Sequence, residues 1–267
     1  MKLTVLTDNN TYIDQYYLGE PALSFFISQG GKSILFDTGY SDVFFKNAKS
    51  LGIDISKTDY IVFSHGHDDH TKGLSCIGKS EVQNAQIVAH PACFDKKYVG
   101  DLYVGSPCSK EELASQFNCN FSDKPIELCK NLWYLGQIPR VFDYEKGTVG
   151  ETEKDGIRSA DALYDDTALV YKSKKGLFVI TGCSHSGICN ITEYAKQVCG
   201  EEKVYGIIGG FHLFDDDEKL AKTVEYFVQN NIEVLYPCHC VSLVAKHRML
   251  EKLNIKEVGV SLVLEIE

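Results

Sequence analysis

A run of four potential metal ligands within six residues constrains this chain more than any other feature of its sequence. The run reads His65-x-His67-x-Asp69-His70. It stands directly after Tyr60–Phe63, a short apolar segment that predicts a buried strand. Imidazole and carboxylate are ligands that zinc, iron and manganese prefer, and a tight loop after a strand orders them in advance. The run therefore predicts a metal site at the end of that strand.

The spacing inside the run predicts two metal positions. In extended backbone His65 and His67 point to the same side. Gly66 lets the chain turn, so that Asp69 and His70 can address a second position. Three protein ligands and a water form an open, catalytic shell, and two such shells on one loop predict a binuclear centre with metals about 3.5–4 Å apart. The alternative, a histidine-rich surface loop without metal, is disfavoured by the strand that precedes the run.

Two similar hairpins organise the two halves of the chain. Ala22–Ser28 and Ser33–Phe36 are strand-like runs around a glycine turn. Ala168–Tyr171 and Leu177–Ile180 repeat this arrangement in the second half. Each hairpin ends in a polar loop, which is consistent with a duplicated half-domain.

The remaining pattern predicts alternating strands and helices in a single domain, residues 1–267. Helical spacing of apolar residues predicts helices over 42–51, 188–198, 218–229 and 243–253. Strand-like runs occur at 204–208, 234–236 and 258–266. Between Asp95 and Ser159 the pattern weakens, and this segment contains the only tryptophan, Trp133. We expect it to be an insertion or lid over the site, because long loops are usually functional or disordered.

Composition narrows the function classes. The 267 residues include 27 Lys and Arg against 37 Asp and Glu, a formal net charge of −10. A surface of that sign repels nucleic acid and anionic lipid, so neither is expected as a partner.

No stretch approaches the roughly 18 apolar residues of a membrane-spanning helix, and the first eight residues read as a strand, so we expect a cytoplasmic protein. The ten cysteines include no C-x-x-C pair and are expected to be reduced thiols, and nothing in the sequence indicates an oligomeric state.

The sequence resembles the metallo-β-lactamase-fold hydrolases, whose H-x-H-x-D-H signature the metal-ligand run reproduces. Asp37-Thr38-Gly39, after a predicted strand, is similar to the first motif of that family. Three later motifs resemble a narrower branch, the dihydropterin-methyl-ribofuranosylaminobenzene 5′-phosphate synthases and their metal-dependent hydrolase relatives. These motifs are Thr181-Gly182-Cys183-Ser184-His185-Ser186-Gly187, Gly209-Gly210-Phe211-His212-Leu213 and Pro237-Cys238-His239-Cys240. The resemblance implies an α/β fold, a four-layer αβ/βα sandwich of two mixed sheets with helices outside and the site at one end.

Carried over residue by residue, the resemblance also implies two ligand sets for two divalent cations, zinc first, with iron or manganese as alternatives. The implied ligands are His65, His67 and His185 for one metal and Asp69, His70 and His239 for the other. Asp37 is expected to orient a ligand by hydrogen bonding rather than to bind metal itself. Cys238 and Cys240 flank His239, so in a strand they would point away from the site and pack in the core.

The chain departs from the family pattern at two places. A generic member has a bridging aspartate directly after Thr-Gly on the second-half strand, where this chain has Cys183. The generic third histidine is also absent, and Tyr164-Asp165-Asp166-Thr167 stands in its place. Three roles are open for Cys183: bridging thiolate, terminal ligand or neighbour of the metals. His212 is expected to be either a catalytic contact to substrate or metal, or a packing residue.

From these features we expect metal-dependent hydrolysis, or a related transfer, on a small anionic molecule that carries a phosphate or ester. The nucleophile would be a metal-bound hydroxide, which Asp69 would orient and whose proton it could shuttle. Two metal ions would give a net-negative protein a local positive potential for such a substrate. The alternatives are a diiron redox enzyme, for which the chain has no flavin motif to deliver electrons, and a non-catalytic metal-binding or ligand-sensing module.

Overall fold

The computed structural model describes residues 1–82 and 84–267. Its strands are β1 (Lys2–Thr7), β2 (Ser24–Gln29), β3 (Lys32–Phe36), β4 (Tyr60–Val62), β5 (Gln86–Ala89), β6 (Lys96–Val99), β7 (Leu102–Tyr103), β8 (Asn118–Phe121), β9 (Ile126–Cys129), β10 (Leu132–Tyr134), β11 (Glu151–Lys154), β12 (Ile157–Ala160), β13 (Ala168–Ser173), β14 (Gly176–Thr181), β15 (Val204–Gly209), β16 (Val234–Pro237) and β17 (Val263–Glu265). Its α-helices are α1 (Val43–Ser50), α2 (Asp68–Thr71), α3 (Lys110–Gln116), α4 (Ile188–Cys199), α5 (Glu218–Gln229) and α6 (Leu243–Leu250).

Within the described residues the strands form three sheets. A seven-stranded mixed sheet has the order β17-β1-β2-β3-β4-β5-β8, and a six-stranded mixed sheet has the order β16-β15-β14-β13-β10-β9. In the first sheet β2 and β3 form an antiparallel hairpin, and β3, β4 and β5 run parallel. In the second, β13 and β14 form the hairpin, and β14, β15 and β16 run parallel. The two hairpins predicted from the sequence therefore occupy matching places in the two sheets.

Alternating side chains along the strands explain why the sheets stack in layers. In β2, Ile27 packs in the core between the two large sheets, whereas Phe26 packs on the opposite face with residues of α1 and α3. In β13, Leu169 faces the same intersheet core, and Val170 packs against α4, α5 and α6. Three buried clusters thus separate four layers. The predicted four-layer αβ/βα sandwich, two mixed sheets with helices outside, is confirmed.

Local signals fix the helix ends on the second half of the sandwich. The Asp217 side chain accepts a hydrogen bond from the Leu220 backbone N–H and caps α5. The Ser242 hydroxyl accepts one from the Ala245 backbone N–H and caps α6. Helix α4 ends at Cys199, and the next residue, Gly200, caps it with a φ of 57°, the left-handed conformation typical of a glycine cap.

Two predicted elements are shorter than expected. Helix α6 ends at Leu250 rather than at residue 253. The predicted 258–266 strand is confined to β17, because Ser261 adopts a φ of 80° and breaks the extended backbone. None of the helices in the described ranges is long and apolar enough to cross a membrane.

The segment Asp95–Ser159, predicted as an insertion or lid, is divided among all three sheets. Strand β8 pairs with β5 in the first large sheet, and β9 and β10 extend the second beside β13. Only β6, β7, β11 and β12 form a separate antiparallel sheet, here called the lid sheet. The middle of the segment is therefore part of the sandwich. Its strands are only three or four residues long, which is too short for a periodic signal.

Candidate metal centre

The predicted site residues meet where the parallel strands end. The H-x-H-x-D-H run follows β4, and Asp37 follows β3. Cys183 and His185 follow β14, His212 follows β15, and His239 follows β16. Carboxyl ends of parallel strands share one edge of a sheet, and binding sites form there. The two large sheets present these edges at the same end of the sandwich.

Several of these strand ends have a strained backbone. Asp37, Ser184, His212 and His239 have φ values of 57°, 56°, 50° and 53°. A residue other than glycine in this left-handed region costs on the order of 1–3 kcal/mol, and such residues cluster at functional sites. Each of them turns the chain sharply where a strand ends, which brings its own or a neighbouring side chain to the shared edge.

Three histidines form the first ligand cluster. Ring nitrogens of His65, His67 and His185 lie within 4.8 Å of one another, and His65 Nε2 is 3.0 Å from His67 Nδ1. Burial lowers the pKa of His65 and of His185 well below its usual value and lowers the pKa of His67 to about 4. At neutral pH these imidazoles are therefore uncharged, the state in which they bind metal ions.

His185 gives the clearest test of whether the cluster fits a metal. Both of its ring nitrogens are buried, and neither has a hydrogen-bond partner among the described residues. A buried polar group left without a partner costs about 1–3 kcal/mol, so native proteins avoid it. A metal ion bound between the three rings would give one of these nitrogens a partner and so remove part of that cost. The donor set therefore fits a divalent cation that accepts imidazole ligands.

Asp69, His70 and His239 form the second ligand cluster. Their ligand atoms also lie within 4.8 Å of one another. His239 Nε2 is 3.2 Å from His70 Nε2 and 3.3 Å from Asp69 Oδ2. Burial alone would raise the pKa of Asp69, but the charge of His70 and the hydrogen bond from His239 lower it. The second cluster thus offers one carboxylate and two imidazoles.

The far nitrogens of the second-cluster histidines are held by oxygen acceptors. His70 Nδ1 is 2.7 Å from Asp37 Oδ2, and Asp37 also accepts hydrogen bonds of 2.7 Å from both the backbone N–H and the hydroxyl of Ser64. His239 Nδ1 is 3.0 Å from Asn9 Oδ1. With each Nδ1–H donated outward, the two Nε2 atoms point at one another. A carboxylate or amide in this place orients a metal-binding histidine and fixes its tautomer.

Cys183 lies between the two clusters. Its Sγ is 3.2 Å from His70 Nε2 and within 4.8 Å of ligand atoms of His65 on one side and His239 on the other. Burial raises the pKa of this thiol well above its usual value, so a metal ion would have to displace the proton. Of the three roles left open by the sequence, the bridging and the terminal ligand both fit this position.

Cys240 does not pack in the core as predicted. Cys238 does, and it is fully buried between the two large sheets. The Cys240 thiol instead lines the cavity beside the clusters, with Sγ 3.6 Å from the Cys183 carbonyl oxygen. Strand alternation fails here because the left-handed backbone of His239 turns the chain between the two cysteines.

Both clusters open into a cavity of about 750 Å³. His212 lies in its wall, with its ring centroid 4.5 Å from that of His185. The lid sheet and the segment that follows β7 supply a largely apolar wall, and other loops supply the facing side. These lining residues include Val99, Leu102, Tyr103, Val104 and Pro107 from the lid side, and Tyr40, Lys72 and Phe214 opposite.

Some residues that support the site escaped the sequence analysis. Lys97 of β6 and Asp165 form a buried ion pair beneath the metal-ligand run, and Asp165 accepts a hydrogen bond from the Gly66 backbone N–H at 2.8 Å. The one signal for Asp165 is that it stands where the generic family has its third histidine. No pattern in the sequence marks Lys97.

Comparisons with known sequences agree with the resemblance. The metallo-beta-lactamase superfamily profile matches residues 18–79. An uncharacterized protein of Methanocaldococcus jannaschii is 33% identical over 254 residues, covering 94% of each chain. The 7,8-dihydropterin-6-methyl-4-(β-D-ribofuranosyl)-aminobenzene-5′-phosphate synthase of the same organism is 30% identical over 270 residues, covering 94% of this chain and 91% of the relative.

Solved structures agree as well. A metal-dependent hydrolase of the β-lactamase superfamily superposes with a TM-score of 0.87 at 31% identity, covering 100% of this chain and 99% of the other. A diphosphatase from the PhnP family, 15% identical with a TM-score of 0.55 over 100% of this chain and 98% of its own, shares the fold. The sequence, the fold and the ligand clusters lead to one assignment: the chain belongs to the metallo-β-lactamase superfamily.

Proposed function

We propose that the protein is a binuclear metal-dependent hydrolase, or a related group-transfer enzyme, that acts on a small anionic molecule bearing a phosphate or ester. One observation carries the proposal. Two ligand clusters, one of three histidines and one of Asp69, His70 and His239, adjoin across Cys183 and open into one cavity. Group transfer is included because a relative of similar length is named as a synthase.

The ligand assignment follows from the donor atoms. His65, His67 and His185 would hold one divalent cation, and the second cluster with Cys183 would hold the other. Two bound cations supply Lewis acidity, which lowers the pKa of a coordinated water and polarises the oxygen of the bond to be broken. Imidazole, carboxylate and thiolate together suit zinc, with iron and manganese as alternatives.

The remaining side chains of the site can support the reaction without a Ser-His-Asp catalytic triad. Asp69 has a lowered pKa and is therefore a weak base, which suits it to orient a nucleophilic water rather than to store its proton. His212 faces the cavity beside His185 and is placed to donate a proton to a leaving group. Lys72 lies in the cavity wall, with Nζ 3.8 Å from the Tyr40 ring centroid, and offers a cation to an anionic substrate.

Metal analysis of anaerobically purified protein, followed by a substrate screen, tests the proposal. Metal content is measured for the wild type and for His67→Ala, which removes a ligand of the first cluster. The metal-free protein is then reloaded with zinc, manganese or iron and assayed on phosphodiester, phosphomonoester and thioester substrates. The matched control is His247→Ala, because His247 is exposed on α6, away from the cavity.

The outcomes separate the candidate functions. Two equivalents of zinc or manganese with esterase activity support the proposal, as does the loss of about one equivalent and nearly all turnover in His67→Ala. Redox-active iron with a visible charge-transfer band and no hydrolysis would favour the diiron enzyme. Tight metal binding without turnover of any substrate class would favour a ligand-sensing module. Full metal content and full rate in His67→Ala would refute the site assignment.

A further inference from the structure

The lid sheet is joined to the metal-ligand run by a buried group of three charges. Lys97, in β6 of the lid sheet, places its Nζ 2.8 Å from Asp161 Oδ2 and 3.0 Å from Asp165 Oδ1. The three residues are 2%, 5% and 1% exposed. Breaking a buried ion pair by removing one partner is strongly unfavourable, because the remaining charge is left uncompensated. Lys97, Asp161 and Asp165 therefore form a fixed connection between the lid sheet and the segment before β13.

The connection ends on the backbone between two implied metal ligands. The second oxygen of Asp165 accepts the Gly66 backbone N–H at 2.8 Å, and Gly66 stands between His65 and His67. Gly66 is also tightly enclosed. A Cβ at this position would lie 1.8 Å from the Cys93 carbonyl oxygen and 2.9 Å from Lys97 Cε. The stem of Lys97 thus packs against the same residue that its ammonium group holds through Asp165.

Two further contacts tie the same strand to the run. The Val104 backbone N–H donates to the Lys97 carbonyl oxygen at 2.9 Å, and the Asp68 backbone N–H donates to the Val104 carbonyl oxygen at 2.8 Å. Val99 and Val104, on either side of the β6–β7 hairpin, line the cavity. One strand of the lid sheet therefore borders the substrate space and also supports the metal-ligand loop.

We infer that Lys97 is a positioning residue for the first metal position, acting through Asp165 and Gly66 on His65 and His67. The inference rests on the proposed function, since it presumes a metal held by those histidines. It assigns the lid sheet a second role besides forming a wall of the cavity: it holds the ligand loop in the conformation that binds metal. Burial alone would lower the pKa of Lys97, but Asp165 and Asp161 raise it above its usual range, so the ammonium stays charged.

Cobalt titration of the metal-free protein tests this inference without using activity. Affinity and absorption spectrum are recorded for the wild type, Lys97→Met and Asp165→Asn. The Met variant keeps the stem and removes the charge. The Asn variant keeps the Lys97–Asp161 pair and a side chain of the same size, so we expect it to perturb folding less than the Met variant, but it has one oxygen to share between Lys97 and Gly66. The matched control is Lys96→Met in the same strand, whose ion pair with Glu153 at 2.8 Å is on the surface.

We expect both test variants to bind cobalt at the His65–His67–His185 position at least tenfold more weakly, as is typical when a partner behind a ligand is lost, with an altered visible spectrum. Lys96→Met should match the wild type. If Asp165→Asn melts cooperatively and binds two equivalents with wild-type affinity and spectrum, Lys97 is a structural ion pair only and the inference is wrong. A wild type that binds fewer than two equivalents would instead contradict the proposed binuclear function.

Discussion

The Asp37→Asn substitution tests the second ligand cluster, because Asp37 stabilises the proton that His70 carries in the metal-free protein. In the metal-free protein, burial alone would lower the pKa of His70, but the charges of Asp69 and Asp37 raise it to about 9. At pH 7 a metal ion must therefore displace one proton from this ring. The gap between pH 7 and a pKa of about 9 means that the His70 proton alone makes zinc affinity at pH 7 about 100-fold weaker than at a pH where this ring is neutral, and the Cys183 thiol proton adds a further dependence at higher pH. His65, His67 and His185 add nothing to this dependence, because they are already neutral.

The substitution should change the pH profile in two separable ways. Removing one negative charge lowers the pKa of His70, so the rise in zinc affinity moves to lower pH. The amide has one oxygen and cannot accept from His70 and from both donors of Ser64, so the ring loses its orientation. At about pH 9.5, where most of the His70 rings are neutral, zinc affinity should therefore be about 10–100-fold weaker than in the wild type, the range observed when a hydrogen-bond partner behind a ligand is removed.

Competitive zinc titration with a chelator between pH 6.5 and 9.5 measures both the pH dependence and the strength of zinc binding. Calorimetry in buffers of different ionisation enthalpy counts the protons released when zinc binds. The matched control is Asp42→Asn, because Asp42 is a half-buried surface residue whose carboxylate pairs with Lys46 at 2.9 Å. The same shift predicts stability. Because the folded-state pKa of His70 is raised, its contribution is complete below about pH 6.5 and is lost as the pH rises through 9, so the metal-free protein should melt lower at pH 9.5. If Asp37→Asn had the wild-type pH dependence of zinc affinity and the wild-type affinity at high pH, the role of His70 as a ligand would be refuted.

Three further predictions concern the first cluster, the sulfur and the lid. His185→Ala should lose one metal equivalent yet melt within a few degrees of the wild type when metal-free, because its ring has no hydrogen-bond partner in the described part of the chain; a large drop in melting temperature would contradict this. Cys183→Ser should abolish a sulfur-to-cobalt charge-transfer band near the ultraviolet and weaken cobalt binding at least tenfold, while Cys189→Ser, buried in α4, should preserve both; an unchanged band in Cys183→Ser would make the sulfur a bystander. Leu102→Asp, at a lid position 67% exposed, should change KM and substrate preference with little effect on melting temperature, and unchanged kinetics would exclude the lid from substrate selection.

The sequence was informative where the site is local in the chain. The metal-ligand run spans six residues after one strand, so its spacing alone predicted two metal positions. The family resemblance added His185 and His239 to the two ligand sets, and the structure brings the residues of each set together. The hairpins around the site were readable for the same reason, since each is a contiguous pattern of apolar residues. Strands β8, β9 and β10 were not, because their three or four residues alternate too briefly to stand out.

Long-range pairs and backbone reversals were beyond the reach of the sequence pattern. Lys97 and Asp165 are 68 residues apart, and no spacing rule connects a lid strand with the loop before β13. Cys240 was misplaced because alternation assumes extended backbone, whereas His239 is left-handed. Both cases have one physical cause: the strand ends at this site are held by tertiary contacts, and those contacts decide where side chains point.

With both clusters loaded as proposed, the two metal positions would be chemically unequal, and the inequality bears on how a protein of net charge −10 would attract the proposed anionic substrate. The first position is made of three neutral imidazoles, so a divalent cation there would keep its full charge. The second includes the Asp69 carboxylate and the Cys183 sulfur, which would neutralise most of the charge of its ion. The Lys97 ammonium adds no net positive charge there, because Asp161 and Asp165 both pair with it, so only the charge of the bound cation would make the local potential positive. The proposed anionic substrate would therefore be attracted most strongly to the side of the centre that His65, His67 and His185 form, next to His212.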